Sequence, residues 1–126
     1  VEFTGWLNNQ EIQTLAAKCS IGIFPSRIES FGLSVVEAMA TGLPVIAARG
    51  GAVLENIEDG VTGTLVPVNN SDALAAAINK ALENPQYSKT MAIAAKSAVN
   101  KKFSWDRAAD SMIEIYKNLC MKTSST

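Results

Sequence analysis

The sequence predicts an α/β fold: a parallel sheet flanked by helices, followed by a helical C-terminal segment. Three observations carry this. Residues 21–24, 45–48 and 63–66 are short apolar runs bounded by Pro, Gly or an Asp-Gly turn, as buried strands are. Apolar residues at helical spacing fill stretches between them. From residue 70 onward only helical periodicity recurs. Apolar strands alternating with helices imply parallel pairing with right-handed crossovers.

Residues 1–4 read as a strand and Gly5-Trp6-Leu7 as a turn. Asn8 or Asn9 caps a helix whose Ile12, Leu15, Ala16 and Cys19 share one face. After the strand at residues 21–24, Pro25-Ser26 makes a break. Val36, Met39, Ala40 and Leu43 then recur at helical spacing, and Gly42 with Pro44 stops that helix. Residues 45–48 form the next strand, and Arg49-Gly50-Gly51 is a loop of the kind that brings main chain near a ligand. Residues 53–57 suit one helical turn, Asp59-Gly60 a turn, and residues 63–66 a last strand. Asn70-Ser71-Asp72 caps a helix with Leu74, Ala77, Ile78, Ala81 and Leu82 inward, ended by Pro85. Met91, Ala95, Ala98 and Val99 mark the next helix. Ser104 caps the last, with Ala109, Met112, Ile113, Tyr116 and Cys120 inward, and residues 123–126 are expected to be a disordered tail.

The chain of 126 residues is one domain by size and long enough for a core. Hydrophobic residues make up 48% and charged residues 18%, as in ordinary soluble domains. A net charge of −1 without a basic run argues against nucleic acid as a partner. No stretch reaches membrane-spanning length. Cys19 and Cys120, outside any C-x-x-C pattern, read as buried thiols in a reducing, cytoplasmic setting. The absence of His excludes His-based catalysis and the common zinc sites within this chain, and no metal site is expected. Trp6 and Trp105 are expected to anchor the core.

Chemistry concentrates between Glu29 and Glu37, eight positions apart. Strand, turn and helix follow one another here, so the helix starts with free N–H groups and the positive end of its dipole aimed at the turn. That is an anion site, and phosphate suits it. Side chains on a helix lean toward its N-terminus, which brings Glu37 toward the same place. Like charges repel, so a carboxylate there does not serve the phosphate. It suits the hydroxyls of a diol. A phosphate cradle flanked by two diol acceptors suggests a nucleotide-sugar, with ribose for one Glu and hexose for the other.

The same stretch, Glu29-Ser30-Phe31-Gly32-Leu33-Ser34-Val35-Val36-Glu37-Ala38-Met39-Ala40, resembles the E-x(7)-E motif of retaining, GT-B-fold glycosyltransferases (glycosyltransferase family 4, or glycosyl transferases group 1). Pro25-Ser26 precedes it. Gly42-Leu43-Pro44-Val45-Ile46-Ala47, Gly50-Gly51, Glu55-Asn56-Ile57 and Asp59-Gly60-Val61-Thr62-Gly63-Thr64-Leu65-Val66 follow in the family's order. One departure is the spacing after Gly50-Gly51: three residues, where the family usually has two, precede Glu55.

The resemblance implies a Rossmann-like sheet forming the C-terminal half of a GT-B fold. It implies a nucleotide-diphosphate sugar as donor, a hexose transferred with retained configuration, and no metal or other cofactor. It places Glu29 at the donor sugar near the reacting centre and Glu37 at the ribose hydroxyls. Phe31, Gly32 and Leu33 would offer backbone N–H groups to the diphosphate and sugar, and Leu7 would meet the base. Arg27 and Arg49 either assist with phosphate charge or are solvated. The chain starts at Val1 and reads as part of a longer protein. The domain for a saccharide or lipid-linked acceptor, and the first strands of the donor domain, would lie upstream. Alone, the chain is expected to be inactive and to self-associate through its open sheet, unless the strand at residues 1–4 moves across to pair with residues 21–24. The competing class is a non-catalytic module that holds a nucleotide or a partner protein.

Overall fold

The computed structural model describes residues 1–123, and the rest of the tail expected at residues 123–126 lies outside the described residues. The elements are α1 (Asn9–Ala16), β1 (Gly22–Phe24), α2 (Leu33–Thr41), β2 (Val45–Ala48), α3 (Val53–Asn56), β3 (Thr64–Val66), α4 (Ser71–Glu83), α5 (Pro85–Lys102) and α6 (Trp105–Thr123). The three strands form one parallel sheet in the order β1-β2-β3. Ile46 is the hub of the register, opposite Ile23 on one side and Thr64 on the other.

All four residues of β2 are buried, as expected for a parallel strand covered on both faces. Val45, Ala47 and Leu65 face one side, where they join Val35, Val36 and Met39 of α2, Val53 of α3, and Ala95 and Val99 of α5. Ile46 and Val66 face the other, against Ala73, Leu74, Ala77, Ile78 and Ala81 of α4. Strand alternation thus sorts consecutive residues into two cores.

Caps follow the sequence closely. The Asn8 side chain accepts from the Gln10 and Glu11 N–H groups, and Glu11 returns a bond to the Asn8 N–H at 2.8 Å, a complete capping box. Asn70 accepts from Ala73 at 2.9 Å, and Ser104 from Arg107 at 3.2 Å. α2 ends at Gly42, as expected. Pro85 closes one helix by opening the next: it stands at the start of α5, where its missing N–H costs nothing.

Several expectations fail in one direction. Residues 1–4 form no strand, because among the described residues no strand lies alongside to complete a hydrogen-bond ladder. They therefore do not pair with β1. Trp6 and Trp105 are 87% and 90% exposed and anchor no core. Cys19 and Cys120 are exposed thiols. α1 buries none of its residues, and the expected inward face of α6, from Ala109 to Cys120, is exposed throughout. Ala98 and Leu82 are exposed too, and Ala92 takes the buried place on α5. Periodicity tells which face is apolar. Burial requires a neighbour for it.

Candidate functional site

The site is built where β1 and β2 end. Open parallel sheets bind ligands at the carboxyl ends of their strands, because helix N-termini converge there. After β1 the chain runs through Pro25 to Phe31 without regular structure, then enters α2. After β2, the loop from Arg49 to Ala52 folds against that segment. The Ala52 N–H donates to the Glu29 carbonyl at 2.9 Å.

Close approach of two backbones explains the Gly pair. A Cβ on Gly51 would lie 2.2 Å from the Glu29 carbonyl oxygen, and one on Gly50 would lie 2.1 Å from that of Arg27. Gly51 also has φ +59°, which disfavours any side chain. The Gly-Gly loop therefore brings main chain against the Glu29 turn. It supports the residue expected to meet the donor sugar.

Gly32 is the N-cap of α2, in a left-handed conformation with φ +74°, and no side chain caps the helix. The first intrahelical bond runs from the Val36 N–H to the Gly32 carbonyl at 3.0 Å. The N–H groups of Leu33, Ser34 and Val35 lie before it, in the position that P-loop-like anion sites use. Asn56, at the end of α3, donates from Nδ2 to the Phe31 carbonyl at 2.6 Å and so fixes the turn's orientation. Asn56 has no role legible in the sequence, since its partner lies 25 positions away.

Glu29, Phe31, Gly32 and Leu33 thus share one turn. Glu29 is half-buried, and Phe31 and Leu33 are exposed. Glu37 sits one helical turn further along α2, exposed, on the wall of a groove of about 680 Å³ between α1 and α2. Ser34 shares that wall, Ile12 and Leu15 stand opposite, and Gly22 and Phe24 of β1 form part of the lining. Leu7 is half-buried ahead of the Asn8 cap and lies outside that lining. Arg49 is ion-paired with Asp59, whose other oxygen accepts from the Leu65 N–H at 2.9 Å. This bridge ties the loop to β3 and gives a protein partner to Arg49, expected either to assist with phosphate charge or to be solvated. Arg27 is exposed on the turn. Glu55, on α3, is exposed. Among the described residues, no three Asp, Glu or Cys side chains group as metal ligands, and no helix is long and apolar enough to cross a membrane.

In sequence and in fold the chain is similar to known proteins. An uncharacterized glycosyltransferase of Methanocaldococcus jannaschii is 35% identical over 119 residues, covering 94% of this chain and 34% of that protein. The solved sucrose-phosphate synthase of Thermosynechococcus elongatus superposes with a TM-score of 0.88 at 32% identity, covering 97% of this chain and 31% of that one. The Anabaena protein HepE, solved with UDP and glucose, superposes at 0.79 and 32% identity, covering all of this chain (100%) and 32% of its own. The chain spans about a third of the length of such relatives. The sheet and its flanking helices are those of the Rossmann-like half of a GT-B fold. The model of the glycosyl transferases group 1 matches residues 1–98, which include every strand and the whole carboxylate-bracketed turn, and the chain belongs to that family.

Proposed function

We propose that this chain forms part of the donor-binding domain of a retaining glycosyltransferase, which transfers a hexose from a nucleotide-diphosphate sugar to a saccharide or lipid-linked acceptor. The observation that carries the reading is the uncapped N-terminus of α2 at Gly32, set between Glu29 and Glu37 at the ends of β1 and β2. HepE, solved with UDP and glucose, supports the donor class. The acceptor domain and the first strands of the donor domain belong to other parts of the working enzyme.

In this reading the diphosphate lies at the start of α2, where the N–H groups of Phe31, Gly32 and Leu33 and the helix dipole meet it. As the bond to the sugar breaks, negative charge grows on the departing diphosphate. Donors already in place stabilise that charge without reorganising, the largest single contribution in many enzymes. Glu29 orients the sugar, Glu37 accepts from the ribose hydroxyls, and Leu7 lies at the base. The reaction is proposed to need no metal, because the helix start provides the compensation.

Steady-state kinetics of Glu29→Gln in the intact enzyme test the assignment. Turnover is expected to fall far more than the affinity for free nucleotide, measured as a competitor, because Glu29 meets the sugar and not the nucleotide. Equal losses of both overturn the role. Proton spectra of the first-formed product report the anomeric configuration, and inversion would remove the retaining assignment. Turnover after exhaustive chelation tests the metal-free proposal, which a chelator-sensitive enzyme would contradict.

A further inference from the structure

The C-terminal end of α5 reaches the motif turn from a distant part of the sequence. Phe103, which caps α5, sets its ring edge-on to Phe31, with centroids 5.6 Å apart and planes at 73°. The preceding Lys102 donates from Nζ to the Glu55 carbonyl at 2.6 Å, and the same ammonium lies 5.1 Å from the centre of the Phe103 ring. A cation at that place also complements the carbonyl end of α3. Asn56, next along the chain from Glu55, returns to the Phe31 carbonyl. The contacts close a circuit: Phe31 to Phe103, Lys102 to Glu55, and Asn56 back to Phe31.

This circuit surrounds a turn whose aromatic ring the core leaves uncovered. Phe31 is 47% exposed and Phe103 37%. The turn's shape matters because it aims the N–H groups at the helix start, those of Phe31, Gly32 and Leu33 among them, and small rotations at Gly32 re-aim them. An edge-to-face pair and a hydrogen bond to a charged donor are each adequate to bias such a rotation. Neither is large enough to decide whether the domain folds.

We infer that Lys102 and Phe103 are positioning residues for the donor site: they clamp α3 to the motif turn and link that turn to α6, which begins at Trp105. The inference rests on the proposed function for what the turn binds, but the clamp has a readout that needs no donor. Because α6 follows Phe103 almost at once, a force on that helix is transmitted to the helix start that meets the diphosphate.

Two amides report on the clamp. The Val36 N–H is bonded to Gly32, and the Ala52 N–H to Glu29. The Gly22 and Arg49 N–H groups, bonded to Pro44 and Val66, report on the sheet. Hydrogen exchange of the chain alone is compared for the native sequence, Phe103→Ala, Phe103→Tyr and Lys102→Met. Phe103→Ala is expected to speed exchange at Val36 and Ala52 by about fivefold and to leave the sheet amides within about twofold. Lys102→Met should act in the same direction, and Phe103→Tyr, which keeps the ring, should restore native rates. Unchanged rates at Val36 and Ala52, or equal acceleration in the sheet, overturn the clamp. In the intact enzyme Phe103→Ala should lower kcat about tenfold with little change in donor KM, and Tyr should restore it. Loosened exchange with native kcat also overturns the positioning role. Glu29→Gln, assayed alongside, separates the two ideas: native turnover in that variant defeats the proposed function, while exchange still decides the clamp.

Discussion

Glu29 and Glu37 occupy different surroundings although one motif joins them. Glu29 is half-buried in a turn whose carbonyl is held by Ala52, and Glu37 stands exposed on α2 at the wall of the α1–α2 groove. The supported residue suits positioning near a reacting centre, and the open one suits exchangeable bonds to hydroxyls. Glu37→Ala should weaken donor binding by about 1.5–3 kcal/mol, as expected for hydrogen bonds to a charged acceptor, with Glu37→Gln intermediate. Calorimetry on the intact enzyme measures this, and native affinity in both variants would remove Glu37 from the ribose. Gly51 carries the support. Its φ of +59° and a Glu29 carbonyl oxygen only 2.2 Å from where a Cβ would stand leave no room for a methyl group. Gly51→Ala should destabilise the chain by about 1–3 kcal/mol through local strain. Thermal unfolding checks it, and a native melting temperature would mean the loop can move aside freely.

Among elements, α2 and α5 carry the fold and α1 does not. Met39 of α2 is fully buried at 0% exposure in the core that Ala95 and Val99 of α5 complete. Met39→Ala should cost about 2–5 kcal/mol, lost transfer energy plus a cavity. Asn8→Ala removes a capping box whose local worth is about 1 kcal/mol. Since α1 buries no residue, that loss should appear as fraying of α1 with global stability nearly unchanged. Urea denaturation of the two variants makes the contrast measurable. Equal losses would mean α1 belongs to the cooperative core after all. Caps were legible because they depend on residues three or four positions apart. The closure of Phe103 on Phe31 was not, because nothing local records it.

For the whole molecule the accessible surface is 8974 Å², against about 6,500 Å² for a compact monomer of this mass. The excess lies on named surfaces. Ile12 and Leu15 of α1, Ile23 of β1, and Met112, Ile113, Ile115 and Tyr116 of α6 are all exposed. β1 and β3 are the edge strands, each paired only with β2 among the described strands, and residues 1–4 leave the outer side of β1 open. We expect the isolated chain to associate with itself as concentration rises. A dilution series by sizing with light scattering measures this, and a compact monomer at every concentration would contradict it. We also expect UDP to bind the isolated chain only weakly, because the chain spans about a third of the length of the relatives it matches. Low-micromolar affinity by calorimetry would show a more self-contained site.

The sequence by itself predicted strands at residues 21–24, 45–48 and 63–66, each within a residue of the strand observed, the helix that carries Glu37, its stop at Gly42, and caps at Asn8 or Asn9, at Asn70-Ser71-Asp72 and at Ser104. These follow from local propensity, spacing and hydrogen bonds within a few residues. The ordered motif text also identified the family. Tertiary structure alone decided which apolar faces are covered, and so exposed Trp6, Trp105, Cys19 and Cys120 against expectation. It alone engaged Arg49 with Asp59, set Gly50 and Gly51 against the Arg27–Glu29 backbone, and joined Asn56, Lys102 and Phe103 around Phe31. The physical reason is common to all of them. A residue's pattern states what it can bury or bond, and only the packed chain supplies the partner, often dozens of positions away.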